Sequence, residues 1–249
     1  MGTLAEFQSD HVRAGRDLSM EGLCAGILER HRGTIRIKKP HVAVANLARI
    51  VAATLAVANR KGFHSMSLRD LTEESGLSMG ALYSYFDSKE TLLMMILGAV
   101  SAAVEETLAR PPETLADDPR ARLRWLLETH VYLTEAMHPW FVFAYMEAKA
   151  FPREGRDAAQ RSELATEALI ADALRDGAAR GVFAVDDVEM TAALVKPLLQ
   201  DWYVKRGKYK RRGVTPERYA ESVIGFVEAA IGAGIRAPTP PLPRWAGEG

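Results

Sequence analysis

Apolar residues return every three or four positions along most of the chain, the spacing that puts them on one face of a helix. No stretch alternates apolar with polar as a half-buried strand would. Met20, Leu23, Cys24, Ile27 and Leu28 form one stripe after Ser19, a candidate helix cap. Leu47, Val51, Leu55 and Ala58 form a second over 43–61, closed by Gly62, and Leu92, Leu93, Ile96, Val100 and Val104 a third over about 88–110. Further helices are predicted at about 120–137, 139–150, 155–180, 187–206 and 215–234. Asp118-Pro119 and Thr215-Pro216 pair a cap with proline at the first helical position, and His138-Pro139 also reads as a start. Asp186 with Glu189 has capping-box spacing, and Pro197 inside a helical run predicts a kink. The prediction is an all-α chain without internal repeats.

The densest pattern runs from Ser67 to Glu90. Ser67 stands three residues before Asp70, again a capping box, and Leu68 and Leu71 share a face. Gly76 suits the left-handed position that ends a helix, and Leu77 can plug the turn. Ser78 is a second cap, opening a helix from Met79 to Phe86 with Leu82 and Phe86 inward. Asp87 and Ser88 restart the chain. Helix, short glycine-containing turn and helix make a helix-turn-helix unit, with Phe63, Met66, Leu68, Leu71, Leu77, Leu82 and Phe86 as its small core.

The runs Gly76-Leu77-Ser78-Met79-Gly80-Ala81-Leu82-Tyr83-Ser84-Tyr85-Phe86 and Ser88-Lys89-Glu90-Thr91-Leu92-Leu93 resemble the DNA-binding signature of the TetR/AcrR family of bacterial transcriptional regulators. Ala52-Ala53 through Gly62-Phe63 and Ser67-Leu68-Arg69-Asp70-Leu71 resemble its upstream part, so the close likeness covers roughly 43–95. It implies an N-terminal three-helix DNA-binding domain followed by a helical ligand-binding and dimerisation domain. The expected division is an extension with an amphipathic helix and basic arm (1–40), the DNA-binding domain (41–90), the ligand and dimer domain (91–236) and a disordered Pro-rich tail (237–249). The resemblance implies that Tyr83 and Lys89 hold the DNA backbone and that Met79, Gly80, Ser84 and Tyr85 face the major groove. Arg69 is a further candidate from the preceding helix, and Ser67 and Ser78 lie at helix starts, where free N–H groups suit phosphates. Core packing is the alternative for the two tyrosines, of which at least one is expected outward. Met79 replaces the polar residue common at its position in the family.

Charge sharpens this picture. The 249 residues carry no formal net charge, yet from Arg30 to Glu90 ten basic side chains face five acidic ones. The segment Arg30-His31-Arg32-Gly33-Thr34-Ile35-Arg36-Ile37-Lys38-Lys39-Pro40 reads as extended, either a solvated linker or an arm lying along phosphates or in a minor groove. A single cysteine, Cys24, excludes an intramolecular disulfide framework and fits a reducing cytoplasm. Neither a secretory leader nor an uninterrupted apolar run of bilayer length is found, so a cytoplasmic protein without membrane contact is expected. Phosphate-loop, nucleophile-elbow and zinc-spacing motifs are absent. Glu135 and His138 have di-iron spacing but no second copy, so no enzyme, cofactor or metal is expected.

The middle helices are crowded with large side chains, and the resemblance implies a small-molecule effector there. Trp125, His130, Met137, Phe141, Tyr145 and Trp202 are the candidate lining, with plain core as the alternative. The last two long helices carry stripes containing Leu194, Leu198 and Trp202, and Tyr219, Val223, Phe226, Val227 and Ala230. Paired across a two-fold axis they would form a four-helix homodimer interface matched to a palindromic double-stranded DNA operator. Six of the eight residues 205–212 are basic, either a solvated run or a phosphate anchor for an acyl-coenzyme A. The expected function is a ligand-released repressor. A ligand-independent DNA-binding regulator under a protein partner, or a helical interaction protein without DNA binding, are the alternatives.

Overall fold

The computed structural model describes residues 2–232; the expected tail, 237–249, lies outside them. Every regular element among the described residues is helical. Helix α1 (Leu4–Arg13) and α2 (Met20–Arg30) precede the three-helix unit α3 (Pro40–Lys61), α4 (Leu68–Ser75) and α5 (Met79–Leu82). Helix α6 (Lys89–Leu108) leads into α7 (Pro119–Ala136), α8 (His138–Met146), α9 (Arg153–Ala179), α10 (Val188–Val204), α11 (Arg206–Arg211) and α12 (Pro216–Gly232).

Helix α2 follows the predicted stripe. Ser19 Oγ accepts from Gly22 N at 3.1 Å, and Leu23, Cys24, Ile27 and Leu28 are buried against α3 and α6. Helix α1 is absent from the sequence prediction because Leu4, Phe7 and Val12 make too sparse a stripe. It is held instead by a capping box at Thr3, by Phe7 stacked 5.8 Å from Tyr132, and by Tyr132 Oη donating to Gly2 O at 2.8 Å. Leu4 N also donates to Glu217 Oε1 at 3.1 Å, which ties the N-terminus to α12.

Helix α7 is central and packs against α9 and α12, while α9 lies along α6 and α10. The Asp118-Pro119 start holds, with Ala121 N donating to Asp118 Oδ1 at 2.9 Å. The start of α10 falls one residue later than predicted. Asp187 caps it by accepting from Met190 N at 2.9 Å, and Glu189 pairs with Arg175 instead of closing a capping box. The helix runs continuously through Pro197. Helix α8 stops at Met146, short of the predicted 150; a single 3-10 turn, Ala148–Ala150, follows and ends where Phe151 takes the extended conformation favoured before Pro152. Helices α3 and α6 are long and apolar enough on average to cross a bilayer although neither is an uninterrupted apolar run, and more than half of each apolar stretch is buried in this core.

Candidate nucleic-acid interface and inner cavity

The reading unit is built by local capping. Ser67 Oγ accepts from Asp70 N at 3.3 Å, and Asp70 Oδ2 accepts from Ser67 N at 2.7 Å, which fixes the start of α4. Gly76 ends α4 with φ +66°, and a Cβ there would meet Arg49 Nη2 at 3.1 Å, so only glycine fits without strain. Arg49 in turn donates from Nε and Nη2 to the last carbonyl of α4, Ser75 O, at 3.1 and 2.6 Å. Ser78 Oγ accepts from Ala81 N at 3.2 Å and opens α5. The second helix is shorter than predicted. After Leu82 the chain continues in tighter turns, with Ser84 N donating to Ala81 O and Tyr85 N to Leu82 O.

The two tyrosines point to opposite sides, as two residues of separation on a helix requires. Tyr83 is 47% exposed, whereas Tyr85 is 1% exposed and sits in the core. The expectation that Tyr85 faces a groove is therefore corrected: standing three residues after the inward Leu82 and next to the inward Phe86, it shares their face. Met79 and Gly80 are exposed, Ser84 is half-buried with Oγ donating to Gly80 O at 3.1 Å, and Arg69 is exposed on α4. Lys89 is also corrected. Its Nζ donates to His64 O at 2.9 Å and Met66 O at 3.2 Å, with Phe63 O at 3.4 Å, so its donors hold the loop between α3 and α4. Ser67 Oγ both accepts from Asp70 N and donates to Asp70 Oδ2, and Ser78 Oγ accepts from Ala81 N, so both oxygens serve as caps.

Beside this unit runs the basic arm. Ile35 is buried and Ile37 half-buried, while Arg36, Lys38 and Lys39 are exposed, an extended alternation of apolar in and basic out. Arg36 N donates to Ser84 O at 2.9 Å, a strand-like bond that fixes the arm at the end of α5. Much of the surrounding basic charge is compensated, Arg32 by Glu29, Arg60 by Glu74 and Lys61 by Asp70. Among the described residues the side chains of Arg36, Lys38, Lys39 and Arg69 form no ion pair.

In the second half a cavity of about 520 Å³ opens between α6, α8, α9 and α10. Leu97, Val100, Val104, Ala144 and Met146 give it apolar walls, and Phe141, Tyr145 and Tyr203 an aromatic one, with Tyr203 centred 5.7 Å from Phe141 and 6.0 Å from Tyr145. Of the predicted lining, only Phe141 and Tyr145 belong to it. Met137 is fully buried in the core and Trp125 is half-buried elsewhere. Trp202 stacks 5.0 Å from Tyr219 and donates through Nε1 to Glu135 Oε2 at 3.1 Å. His130 lies one layer behind the wall, where Nε2 is 3.1 Å from Lys196 Nζ. Lys196 itself lines the cavity and was missed from sequence. The available signal was a lone lysine inside an apolar stripe on a buried helix.

Two other sequence features are placed here. The basic run 205–212 does not reach the cavity. Lys205 and Lys208 share Asp201, and Arg206 pairs with Glu135, so two carboxylates engage three of its six basic side chains, and of the two readings of the run the fold does not support a phosphate anchor at this cavity. Burial raises Asp201, but hydrogen bonds from Lys205, Tyr209 and Lys208 outweigh it and bring its carboxyl down to about 2. Glu135 and His138 are also engaged separately, His138 through Nε2 with Tyr203 O at 3.1 Å. No three potential metal ligands cluster among the described residues.

The predicted dimer stripes divide by depth. Trp202, Tyr219, Val223 and Val227 are buried within the chain, Tyr219 with its hydroxyl donating to Leu198 O at 2.5 Å. The three on α12, Tyr219, Val223 and Val227, turn inward because that helix packs its apolar stripe onto α7. Leu194 and Phe226 are 61% and 66% exposed, Met190 is 56% exposed, and Leu198 and Ala230 are half-buried. An exposed apolar patch therefore remains on the outer sides of α10 and α12.

One helix joins the two halves. Helix α8 presents Phe141, Ala144, Tyr145 and Met146 to the cavity, while Phe143 and the following Glu147 face the reading unit. Phe63, just past α3, packs edge-on to Phe143 and Phe151 with ring centres 6.0 and 5.4 Å away, and Phe63 N donates to Glu147 Oε2 at 2.7 Å.

Residues 50–94 match the family described as bacterial regulatory proteins, tetR family, and residues 116–227 match tetracyclin repressor-like, C-terminal domain. The transcriptional repressor KstR of Mycolicibacterium smegmatis is 33% identical over 103 residues, 39% of this chain and 50% of that one, so the match spans half the length of that relative. The transcriptional regulator HbdR of Aromatoleum is 22% identical over 195 residues, 78% of this chain and 85% of that one. Among solved structures, the TetR family regulator PfmR of Thermus thermophilus is 26% identical, covers 76% of this chain and all of its own, and superposes with a TM-score of 0.56. A tetR-family regulatory protein from Rhodococcus RHA1 gives a TM-score of 0.64 over 74% of this chain and 95% of its own; at 20% identity it speaks to the fold alone. With the two family descriptions taking in over half of its length between them, and with the helix-turn-helix and its helical companion both formed, the chain belongs to the TetR family of bacterial regulatory proteins.

Proposed function

We propose that the protein is a cytoplasmic, homodimeric transcriptional repressor that holds a palindromic duplex site and releases it when a small, largely apolar molecule enters the cavity. The observation that carries this reading is the double duty of α8, which walls the cavity with Phe141 and Tyr145 and grips Phe63 through Phe143 and Glu147. Helix α6 is a second lever. It starts at Lys89, directly after the reading unit, and contributes Leu97, Val100, Ser101 and Val104 to the cavity. A ligand shifts the molecule only by preferring one position of these helices to the other. A coupling of ~1–3 kcal/mol would weaken DNA binding ~5–150-fold.

Tyr83 and Arg69 supply phosphate contacts, and Met79, Gly80 and Ser84 meet the major groove. The thin polar equipment of Met79 and Gly80 leaves much of the affinity to charge, and Arg36, Lys38 and Lys39 on the arm extend it along the backbone. The patch of Met190, Leu194 and Phe226 pairs with a second copy, because such an apolar surface is costly to leave in water. Two reading units then span half-sites ~34–36 Å apart. The names of the relatives, a repressor and a regulator, support the same reading.

Selection of duplexes from a random pool by the purified protein tests it. Inverted-repeat sites bound by a dimer, with affinity falling steeply as salt rises, are expected. Failure to enrich any sequence, together with salt-insensitive binding, would sink it.

A further inference from the structure

The cavity contains a charge that the fold joins to no carboxylate, although Glu163 and Glu167 on α9 act on it from a distance. Lys196 is buried on α10, and its one hydrogen bond is to His130 Nε2 at 3.1 Å. That bond puts the imidazole proton on Nδ1, which is itself buried without a partner. Burial first, and the neighbouring ammonium second, push His130 well below its ordinary range, so the ring stays neutral and cannot answer the charge. Lys196 forms no ion pair among the described residues. Glu163, on the opposite helix α9, is held by Gln200 Nε2 at 2.7 Å. An ammonium removed from water is costly unless an anion or several acceptors meet it, and Lys196 keeps two donors beyond the one given to His130.

The surroundings favour an anion. The charged residues lining the cavity are Lys149, Arg156 and Lys196 against Glu163 alone. The rest of the wall is aliphatic and aromatic, led by Leu97, Val100 and Tyr203. Taking the cavity as the effector site proposed above, we infer that its ligand is an amphiphilic carboxylate, an alkyl or aryl acid whose carboxylate is paired with Lys196 and whose apolar body lies against α6 and α8. A charge-assisted contact of this kind both completes the donors of Lys196 and selects acids over neutral molecules of the same shape.

The experiment compares matched probes by isothermal titration: decanoate against decan-1-ol, and 4-phenylbutyrate against 4-phenylbutan-1-ol, on wild type and on Lys196→Met, with circular dichroism confirming the fold. At least one acid is expected to bind wild type about tenfold or more tightly than its alcohol, and that preference is expected to vanish in Lys196→Met. The proposal is overturned if no acid binds, if acid and alcohol bind wild type alike, or if Lys196→Met keeps the preference. Should Lys196→Met not fold, the acid-to-alcohol ratio on wild type decides alone. Gel shifts on the selected duplex separate this inference from the effector reading. An acid that binds through Lys196 yet leaves DNA bound removes the effector reading only, whereas alcohols that release DNA as well as acids remove the carboxylate only.

Discussion

The two halves treat their polar groups in opposite ways. In the reading unit most candidate polar groups are already engaged: the oxygens of Ser67 and Ser78 accept at helix starts, Arg49 donates to the end of α4, and Lys89 donates to carbonyls between Phe63 and Met66. The side chains left for a partner are few and exposed, chiefly Tyr83, Arg69 and the arm. In the cavity half the unspent group is a buried lysine facing open space. A rigid, self-satisfied unit suits the presentation of a fixed surface to DNA. A costly, unsatisfied site suits a ligand, because whatever satisfies it gains more than a contact on the surface would give. Under the proposed function, the joint between the halves is where ligand and DNA would be coupled.

The largest effect should come from breaking that joint. Phe143→Ala empties a ring from the cluster with Phe63 and Phe151 and should cost ~3–5 kcal/mol in denaturant unfolding. A milder break, Glu147→Gln, should keep the fold while changing how much ligand alters DNA affinity in gel shifts. Next, Leu194→Asp with Phe226→Asp places charge in the exposed patch and should weaken self-association by ~2 kcal/mol or more, read by sedimentation equilibrium. An unchanged dimer would show that this patch has another use.

The third prediction sharpens the contrast through pH. Burial lowers Lys196 from its ordinary value to about 8, against the raising influence of Glu163 and Glu167 on α9, and His130 facing it is neutral. The unfolded chain binds this proton more tightly than the native one, so stability is depressed below about pH 8 and recovers as pH rises towards the unfolded value. Lys196→Met should therefore be more stable than wild type by roughly 1–3 kcal/mol at neutral pH. The gap should narrow between pH 8 and 10 in parallel thermal melts. A constant gap would mean that the lysine already has its counter-charge.

The smallest effects belong to the DNA face. Tyr83→Phe should weaken binding by ~0.5–1.5 kcal/mol without loss of stability. Arg36→Ala and Lys38→Ala should each flatten the logarithmic salt dependence by about one unit, almost independently of sequence. If their salt slopes match wild type, the arm is a linker and not part of the interface.

The sequence announces what is local. Capping at Ser67, Ser78 and Asp118, the left-handed turn at Gly76 and the stripe of α2 each follow from a few neighbouring residues, and each stands as expected. It is overridden at Tyr85, where the resemblance implies a groove-facing ring although its spacing from Leu82 puts it on the inward face, and the core is where it lies. It is silent where the partner is remote. The apolar stripe of α12 reads the same whether it meets a second copy or α7, and only its depth in the fold separates Val223 from Phe226. The bond between Lys196 and His130 spans α10 and α7, so neither residue's neighbours could announce it.

Cys24 offers a practical consequence. The thiol is wholly enclosed between α2 and its neighbours, and burial, with the charge of Glu21 adding to it, pushes it up to about 12. Such a sulfur has almost no thiolate to offer an alkylating reagent while the N-terminal helix stays seated. Because it is the one sulfhydryl in the chain, the rate at which a maleimide dye attaches would clock the lifting of α2 from α3, with no engineered label needed.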